Sequence, residues 1–196
     1  MQATQERDSQ YLLNGIIHVA DAYSGGELSG GKAGRGSENK VPFVAAVELN
    51  DEGRPIHIKM DRVRGFTSEA IKAWTKQRAS SGSAVFSDGL ACFRATTEAG
   101  CAHIPEIFFL GGGSRKPKEA PILQWLNIIM GNAKTGLSGT YHAFHSKKYG
   151  NCYPTEAAYR FNRRFNLKGL PKRLLIACIN CTPQPEQLLR SAELCC

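Results

Sequence analysis

The pattern of apolar and polar residues predicts strands in the first part of the chain and mostly helices after it. Three apolar, β-branched stretches are expected to be strands, namely Gly15–Tyr23, Val41–Leu49 and Arg54–Met60. Asn50–Gly53 lies between the second and the third and has the composition of a hairpin turn. The chain is therefore predicted to open with three strands in antiparallel arrangement.

Helices and short strands alternate after this opening. Thr67 can cap a helix that runs to about Arg78, because its hydroxyl can accept a backbone N–H of the first turn. The further predicted elements are strands over Ala84–Asp88 and His103–Leu110 and helices over Leu90–Ala99, Pro121–Lys134, Pro154–Phe165 and Pro171–Ile179. This order predicts an α/β chain with a mixed sheet flanked by helices, an architecture that resembles the ribonuclease-H-like fold.

The helix predicted over Pro121–Lys134 has apolar residues on nearly every face, so we expect other elements to enclose it. Asn127 and Lys134 interrupt this pattern seven residues apart, and two helical turns place them on one side. Two interpretations stay open on these residues alone. Asn127 satisfies backbone groups inside the core, or the pair faces an acidic residue, a metal ion and a phosphate. Asp88, at the carboxyl end of a short predicted strand, is the acidic candidate.

Strand alternation separates the side chains of the first predicted strand into two faces. His18 and Ala20 are expected on one face, with Val19 and Asp21 on the other. An Asp near the end of a strand that looks central is a candidate functional group. It is equally typical of a residue that ends a strand in a turn.

Composition and charge favour a polyanionic partner. The chain has 196 residues, enough for one domain with its own core, and a formal net charge of +8 with a sequence pI near 9.2. The basic residues cluster, most densely at Arg160, Arg163 and Arg164. No apolar run approaches the ~20 residues of a membrane helix, and no secretory signal is evident, so a cytoplasmic protein without membrane contact is expected.

The cysteine and glycine motifs give little further evidence about function. The seven cysteines are odd in number and irregular in spacing, which favours reduced thiols. Cys178-x-x-Cys181 lacks a second pair of ligands, so a zinc site there is only weakly indicated. The Gly- and Ser-rich stretch over residues 25–37 has no phosphate-loop spacing, although Lys32, Arg35 and Lys40 could contact a DNA backbone.

Several motifs together resemble one family. The stretches ADAYSGG, VFSDGLACF, NIIMGNAKTGLSGTYHAF and YRFNRRF are similar to those in the catalytic domain of ISXO-type DDE transposases of bacterial insertion sequences. The similarity extends over roughly residues 14 to 190. It implies a ribonuclease-H-like catalytic domain over residues 14–180, preceded by a poorly ordered leader over residues 1–13 and followed by a tail over residues 181–196.

The resemblance also implies a chemistry and partners. Such transposases use two Mg²⁺ (or Mn²⁺) ions for phosphoryl transfer on DNA, with transposon ends and target as substrates. Asp88 and Asn127 match the second and third metal-site positions, and Lys134 matches the lysine that contacts phosphate or transition-state charge. Arg160, Arg163 and Arg164 would contact DNA. A homodimer is expected by analogy, because strand transfer generally brings two active sites together.

Two departures from the family pattern bear on activity. The usual first metal-binding Asp corresponds to Ala20, while Asp21 matches a second acid and would need a bulge to replace the first as a metal ligand. Only about a dozen residues precede the first strand, so the family's segments that read DNA ends are expected to be missing. Both departures favour a truncated, decaying copy.

Three functions therefore remain open. The chain is a transposase domain that cleaves and transfers DNA strands, a non-catalytic basic DNA-binding remnant of one, or a basic protein that acts on RNA through the same fold.

Overall fold

A mixed five-stranded sheet forms the centre of the protein. The computed structural model describes residues 2–24, 40–105, 123–140 and 152–187. The strands are β1 (Ile16–Ser24), β2 (Val41–Leu49), β3 (Pro55–Arg62), β4 (Ala84–Ser87) and β5 (Ala102–Pro105). Their order across the sheet is β3-β2-β1-β4-β5. β1 and β2, and β2 and β3, pair antiparallel, whereas β4 is parallel to both β1 and β5.

The opening hairpin agrees with its sequence signature. Gly53 adopts a φ of 74° and donates its N–H to the carbonyl of Asn50 at 2.9 Å. The side-chain oxygen of Asn50 accepts the N–H of Arg54 at 2.7 Å. The Asn therefore closes the turn from both its backbone and its side chain, and Gly supplies the left-handed conformation.

Helices cover both faces of the sheet. They are α1 (Gln2–Ser9), α2 (Ser68–Arg78), a 3₁₀ helix (Ala91–Ala99), α3 (Gln124–Thr140), α4 (Cys152–Phe161) and α5 (Leu170–Asn180). The hydroxyl of Thr67 accepts the N–H of Ala70 at 3.2 Å, which confirms the predicted cap of α2. The predicted α/β class and mixed sheet are confirmed, and the arrangement is consistent with a ribonuclease-H-like fold.

The two faces of the sheet carry separate hydrophobic clusters. Ile17 and Val19 of β1 pack with Ile71 of α2 and Phe93 of the 3₁₀ helix. The alternate β1 residues Ala20 and Ala22 belong to the second cluster, together with Leu126 and Ile129 of α3. Ile17 and Val19 therefore lie on one face of the sheet, called the α2 face after the helix that covers it. Ala20 and Ala22 lie on the other face, called the α3 face.

The first residues form a helix where the sequence predicts a poorly ordered leader. α1 contacts α4 and α5, and the Asp8 carboxylate accepts hydrogen bonds from Arg163 at 2.6 and 3.3 Å. The Asp8 backbone carbonyl also accepts a hydrogen bond from Lys59. These partners lie far away along the chain, so the polar composition of residues 2–9 does not reveal them.

The prediction that α3 is enclosed by other elements is wrong. Leu126 and Ile129 are buried, but Trp125 and Ile128 are 37% and 42% exposed. α3 contacts β1, β2 and α4 along one side, and its other side is open among the described residues. The helix also continues through Ser138 to Thr140, beyond its predicted end at Lys134, because the backbone hydrogen-bonding pattern tolerates glycines at some cost.

Several predicted features end at, or fall outside, the described residues. β5 ends at Pro105, and residues 106–122 are not described. The same holds for residues 25–39, with Lys32 and Arg35, for residues 141–151, and for residues 188–196. Among the helices that are described, none combines the length and the apolar character needed to cross a membrane.

Candidate active site

Ala20 and Asp88 follow the last paired residues of the parallel strands β1 and β4. The pairing ends at Val19 and Ser87, Ala20 continues β1, and Asp88 lies just beyond the end of β4. Ala20 is 8% exposed and lies on the α3 face. The family resemblance assigns the first metal-ligand position to Ala20, so an acid there would lie on the α3 face, one residue beyond the last pair of β1 and β4.

The turn that carries Asp88 is held by local hydrogen bonds. One carboxylate oxygen of Asp88, Oδ1, accepts the N–H of Leu90 at 3.3 Å, and Gly89 adopts a φ of 83°. The fully buried Ser87 hydroxyl accepts the Gly89 N–H at 3.4 Å and lies 2.9 Å from Nε2 of His103. The second carboxylate oxygen of Asp88 is thus the one best placed to take a further ligand.

His103 is a residue that sequence reasoning missed. Burial, helped by the charge of Arg94, lowers the pKa of its imidazole, which keeps the ring neutral at pH 7. A neutral ring can share a hydrogen bond with Ser87 and so stabilise the end of β4. The available signal was the predicted β4–helix–β5 crossover, which brings Ser87 and His103 onto neighbouring parallel strands.

Asp21 lies on the opposite face of β1 from Ala20. It pairs with Val44, a member of the cluster on the α2 face, whereas Ala20 pairs with Ala45 of the cluster on the α3 face. Every residue of β1 has its partner on β2 in continuous antiparallel register, so β1 has no bulge in this ladder that would turn Asp21 toward the α3 face.

Asn127 and Lys134 lie along one flank of α3. Asn127 is exposed, so it does not satisfy backbone groups inside the core. The helical repeat places both residues beside the buried stripe of Leu126 and Ile129, about 100° around the axis from Leu126. Asn132, Gly136 and Thr140, which line a cavity shared with α4, lie on the opposite flank of α3.

A small cavity shows where Lys134 lies relative to the sheet. Lys134 lines it with Tyr23 of β1, Phe43 of β2 and Pro154 of α4, so Lys134 lies near the carboxyl end of β1 and also near α4. α3 itself contacts β1, β2 and α4, and α4 contacts β3.

The three arginines of the basic cluster have different surroundings. Arg160 has a side chain that is 69% exposed, 3.9 Å from Glu156. Arg163 binds Asp8 and stacks 3.5 Å above the ring of Tyr159. Arg164 stacks on Phe161 at 3.8 Å and donates to the backbone carbonyls of β3 residues. Two of the three thus hold α4 and its following turn against the rest of the molecule.

The donor atoms available for a metal ion suit a hard divalent cation. Asp88 supplies a carboxylate oxygen and Asn127 an exposed side-chain amide, and Mg²⁺ accepts such oxygens while retaining several water ligands. Within the ranges that the structure describes, no three His, Cys, Asp or Glu side chains are grouped so that they could hold a metal ion. Cys178 and Cys181 are free thiols, the first exposed and the second partly buried.

Comparison with known proteins identifies the family. No curated protein matches the chain. The family model described as the ISXO2-like transposase domain matches residues 12–162, which is more than half of the chain and includes Ala20, Asp88, Asn127 and Lys134. The chain therefore belongs to the family of ISXO2-like transposase domains, and its mixed sheet flanked by helices is consistent with that assignment.

Proposed function

We propose that this domain carries out metal-dependent cleavage and transfer of DNA strands during transposition. The observation that carries the proposal is the family match over residues 12–162, a range that includes Asp88, Asn127 and Lys134. Asn127 and Lys134 are exposed on α3, which leaves both side chains accessible to a metal ion or a phosphate.

Each residue has a distinct role in this proposal. Asp88 and Asn127 would hold a divalent ion, Mg²⁺ or Mn²⁺, which activates the attacking hydroxyl or stabilises the leaving oxygen. Lys134 would contact the scissile phosphate and neutralise charge that develops in the transition state. Metal binding by Asp21 remains a prediction, and its place on the α2 face gives it no support.

The proposed substrate is DNA, namely transposon ends and target, held by two copies of the domain. The net charge of +8 supports a polyanionic partner. Of the four cations predicted to contact DNA, Lys134 and Arg160 are exposed. Contacts from Arg163 and Arg164 would have to form while these side chains keep their partners in the fold.

A nicking assay tests the catalytic proposal. The purified protein is incubated with supercoiled DNA and Mg²⁺ or Mn²⁺, and the conversion to open circles is followed. We expect slow nicking that requires the metal and falls at least ~100-fold in Asp88→Ala and in Lys134→Ala, since each removes a group that acts on the transition state. Nicking at an unchanged rate in Asp88→Ala would refute the assignment.

A non-catalytic DNA-binding role is the second candidate, and Ala20 is the observation that favours it. With Ala20 at the first metal-ligand position, the groups proposed for the site are Asp88, Asn127 and Lys134, and one of these three is a carboxylate. The test is Ala20→Asp, with Ala22→Asp as the control, because both positions are buried on the α3 face. An inert wild type that binds DNA, together with nicking in Ala20→Asp alone, would favour this second role. A wild type that nicks readily would exclude it.

A further inference from the structure

A cavity of about 440 Å³ lies between α3 and α4 above β3, away from the Asp88 position. Its floor is apolar and consists of Ile58, Met60, Ile129 and Leu137. The volume falls within the roughly 300–1,000 Å³ typical of small-molecule sites. Nothing in the proposed cleavage chemistry uses this cavity.

Polar and aromatic groups surround the opening of the cavity. Asn132 and Thr140 of α3, with Tyr153 of α4, supply groups that can donate or accept hydrogen bonds. Arg160, whose side chain is 69% exposed, also lines the cavity, as does Glu156, whose carboxylate lies 3.9 Å from the Arg160 guanidinium. A phosphate bound at this rim would therefore compete with Glu156 for an exposed cation.

One wall of the cavity is an ordered aromatic and guanidinium stack. The Arg164 guanidinium lies 3.8 Å from the ring centre of Phe161 and donates to the carbonyls of Phe161 at 3.0 Å and Ile56 at 3.2 Å. These bonds fix the wall before any ligand arrives. A flat ring is the shape that such a wall and an apolar floor accept.

We propose that this cavity binds one unpaired base of a DNA strand, with the adjoining phosphate at Arg160. The inference rests on the proposed DNA partner. The combination of apolar floor, hydrogen-bonding rim and exposed cation matches the three parts of a nucleotide, which are the base face, the base edge and the phosphate. A base stacked within a duplex cannot enter a cavity between two helices, so the occupant must be unpaired or flipped out.

The helix glycines provide a matched test. A Cβ added at Gly136, which lines the cavity, meets no heavy atom within 4 Å, and the same is true of Gly131 on the same helix, which is not among the residues of the cavity lining. Gly136→Leu should therefore fill the cavity without disturbing the packing of α3. Gly131→Leu makes the same chemical change on the outer surface and serves as the control.

The measurement compares binding of a duplex that has one bulged 2-aminopurine with binding of the fully paired duplex at the same salt concentration. For wild type and Gly131→Leu we expect about tenfold tighter binding of the bulged duplex and a change in 2-aminopurine fluorescence. For Gly136→Leu we expect the preference and the fluorescence change to disappear, while binding of the paired duplex persists. Thermal unfolding of both variants shows that each is folded.

Two failures are distinguishable. A wild type that binds both duplexes equally, or a Gly136→Leu variant that keeps the preference, would overturn the base site and leave the DNA partner standing. Absence of binding to either duplex at low salt would overturn the proposed DNA partner and the base site together.

Discussion

At the scale of single residues, buried charges on the edge strand β3 hold it to the helices α1 and α2. Lys59 of β3 is 5% exposed and donates to the backbone carbonyl of Asp8. Asp61 accepts from Arg78 at 3.0 Å and from the indole N–H of Trp74 at 3.1 Å. Each buried charge thus has a partner, as a low-dielectric environment requires.

Lys59 should make stability depend on alkaline pH. Burial lowers its pKa from 10.5 to about 8, against the attraction of Asp61. Between these values the unfolded chain binds more protons than the folded one, so this residue makes the free energy of unfolding rise with pH, by at most about 3 kcal/mol. We expect Lys59→Met to lack this rise. Urea unfolding of both proteins at pH 8, 9 and 10 measures this rise in the free energy of unfolding. The contributions of other titrating groups cancel in the difference between wild type and variant. Parallel profiles for the two proteins would contradict the prediction.

The contact between Asp8 and Arg163 should stabilise the fold. Both side chains are little exposed, at 12% and 13%, and Arg163 also stacks on Tyr159. Arg163→Ala leaves the Asp8 carboxylate without this cation, so we expect a loss of about 3 kcal/mol in the free energy of unfolding. Denaturant unfolding measures the loss. Arg160→Ala on the same helix is the control and should cost less than about 0.5 kcal/mol, because Arg160 is exposed. Equal effects of the two changes would argue against the structural role of Arg163.

At the scale of elements, α3 presents different residues to the core and to the outside. Six of the eight residues of Leu123–Met130 are apolar, yet only one stripe is buried. The stripe packs on Ala20 and Ala22, and small side chains at these positions allow the helix to approach the sheet closely. Asn127 and Lys134 lie at the border of this contact, where polar groups can remain hydrated.

Two adjacent isoleucines test this orientation. Ile129 is 5% exposed and packs against the sheet, whereas Ile128 is 42% exposed. Ile129→Ala should reduce the free energy of unfolding by about 3 kcal/mol, since it removes a buried side chain and leaves a cavity. Ile128→Ala should cost less than about 1 kcal/mol by comparison. Denaturant unfolding of the two variants measures both losses. A larger loss for Ile128→Ala than for Ile129→Ala would show that α3 is rotated.

At the scale of the whole molecule, the two ends of the described chain pack against each other outside the family match. α1 contacts α5, and the Glu6 carboxylate accepts from the N–H of Thr182 at 3.2 Å and from its hydroxyl at 3.0 Å. The family model covers residues 12–162, so most of this layer is additional to the shared domain. α5 exposes Leu175 and Ile179, at 61% and 72%.

The net charge should appear in the salt dependence of DNA binding. If Lys134 contacts a phosphate, Lys134→Ala should reduce the slope of log K against log salt concentration by about 1, with little dependence on DNA sequence. Lys72→Ala is the control, because Lys72 is on α2 and pairs with Glu98 at 2.6 Å. Titrations at several salt concentrations measure both slopes. A slope that Lys134→Ala leaves unaltered would place Lys134 away from the DNA backbone.

The sequence alone determined the local elements, because their causes are local. Alternating β-branched residues specify β1, β2 and β3, the Asn50–Gly53 turn specifies their hairpin, and Thr67 specifies the start of α2. The motifs around Asp88 and Asn127 also sufficed to identify the family. Each of these signals depends on residues close together in the chain.

Only the tertiary structure decided which groups meet. Composition could not show that α1 is held by Arg163, that Ser87 meets His103, or that Asn127 is exposed, since each depends on residues far apart in sequence. Strand alternation already predicted Ala20 and Asp21 on opposite faces, but strand pairing and helix packing decided that Ala20 lies on the α3 face and Asp21 on the α2 face. Periodicity assigns residues to the same or opposite sides of an element, but long-range packing determines what each side contacts.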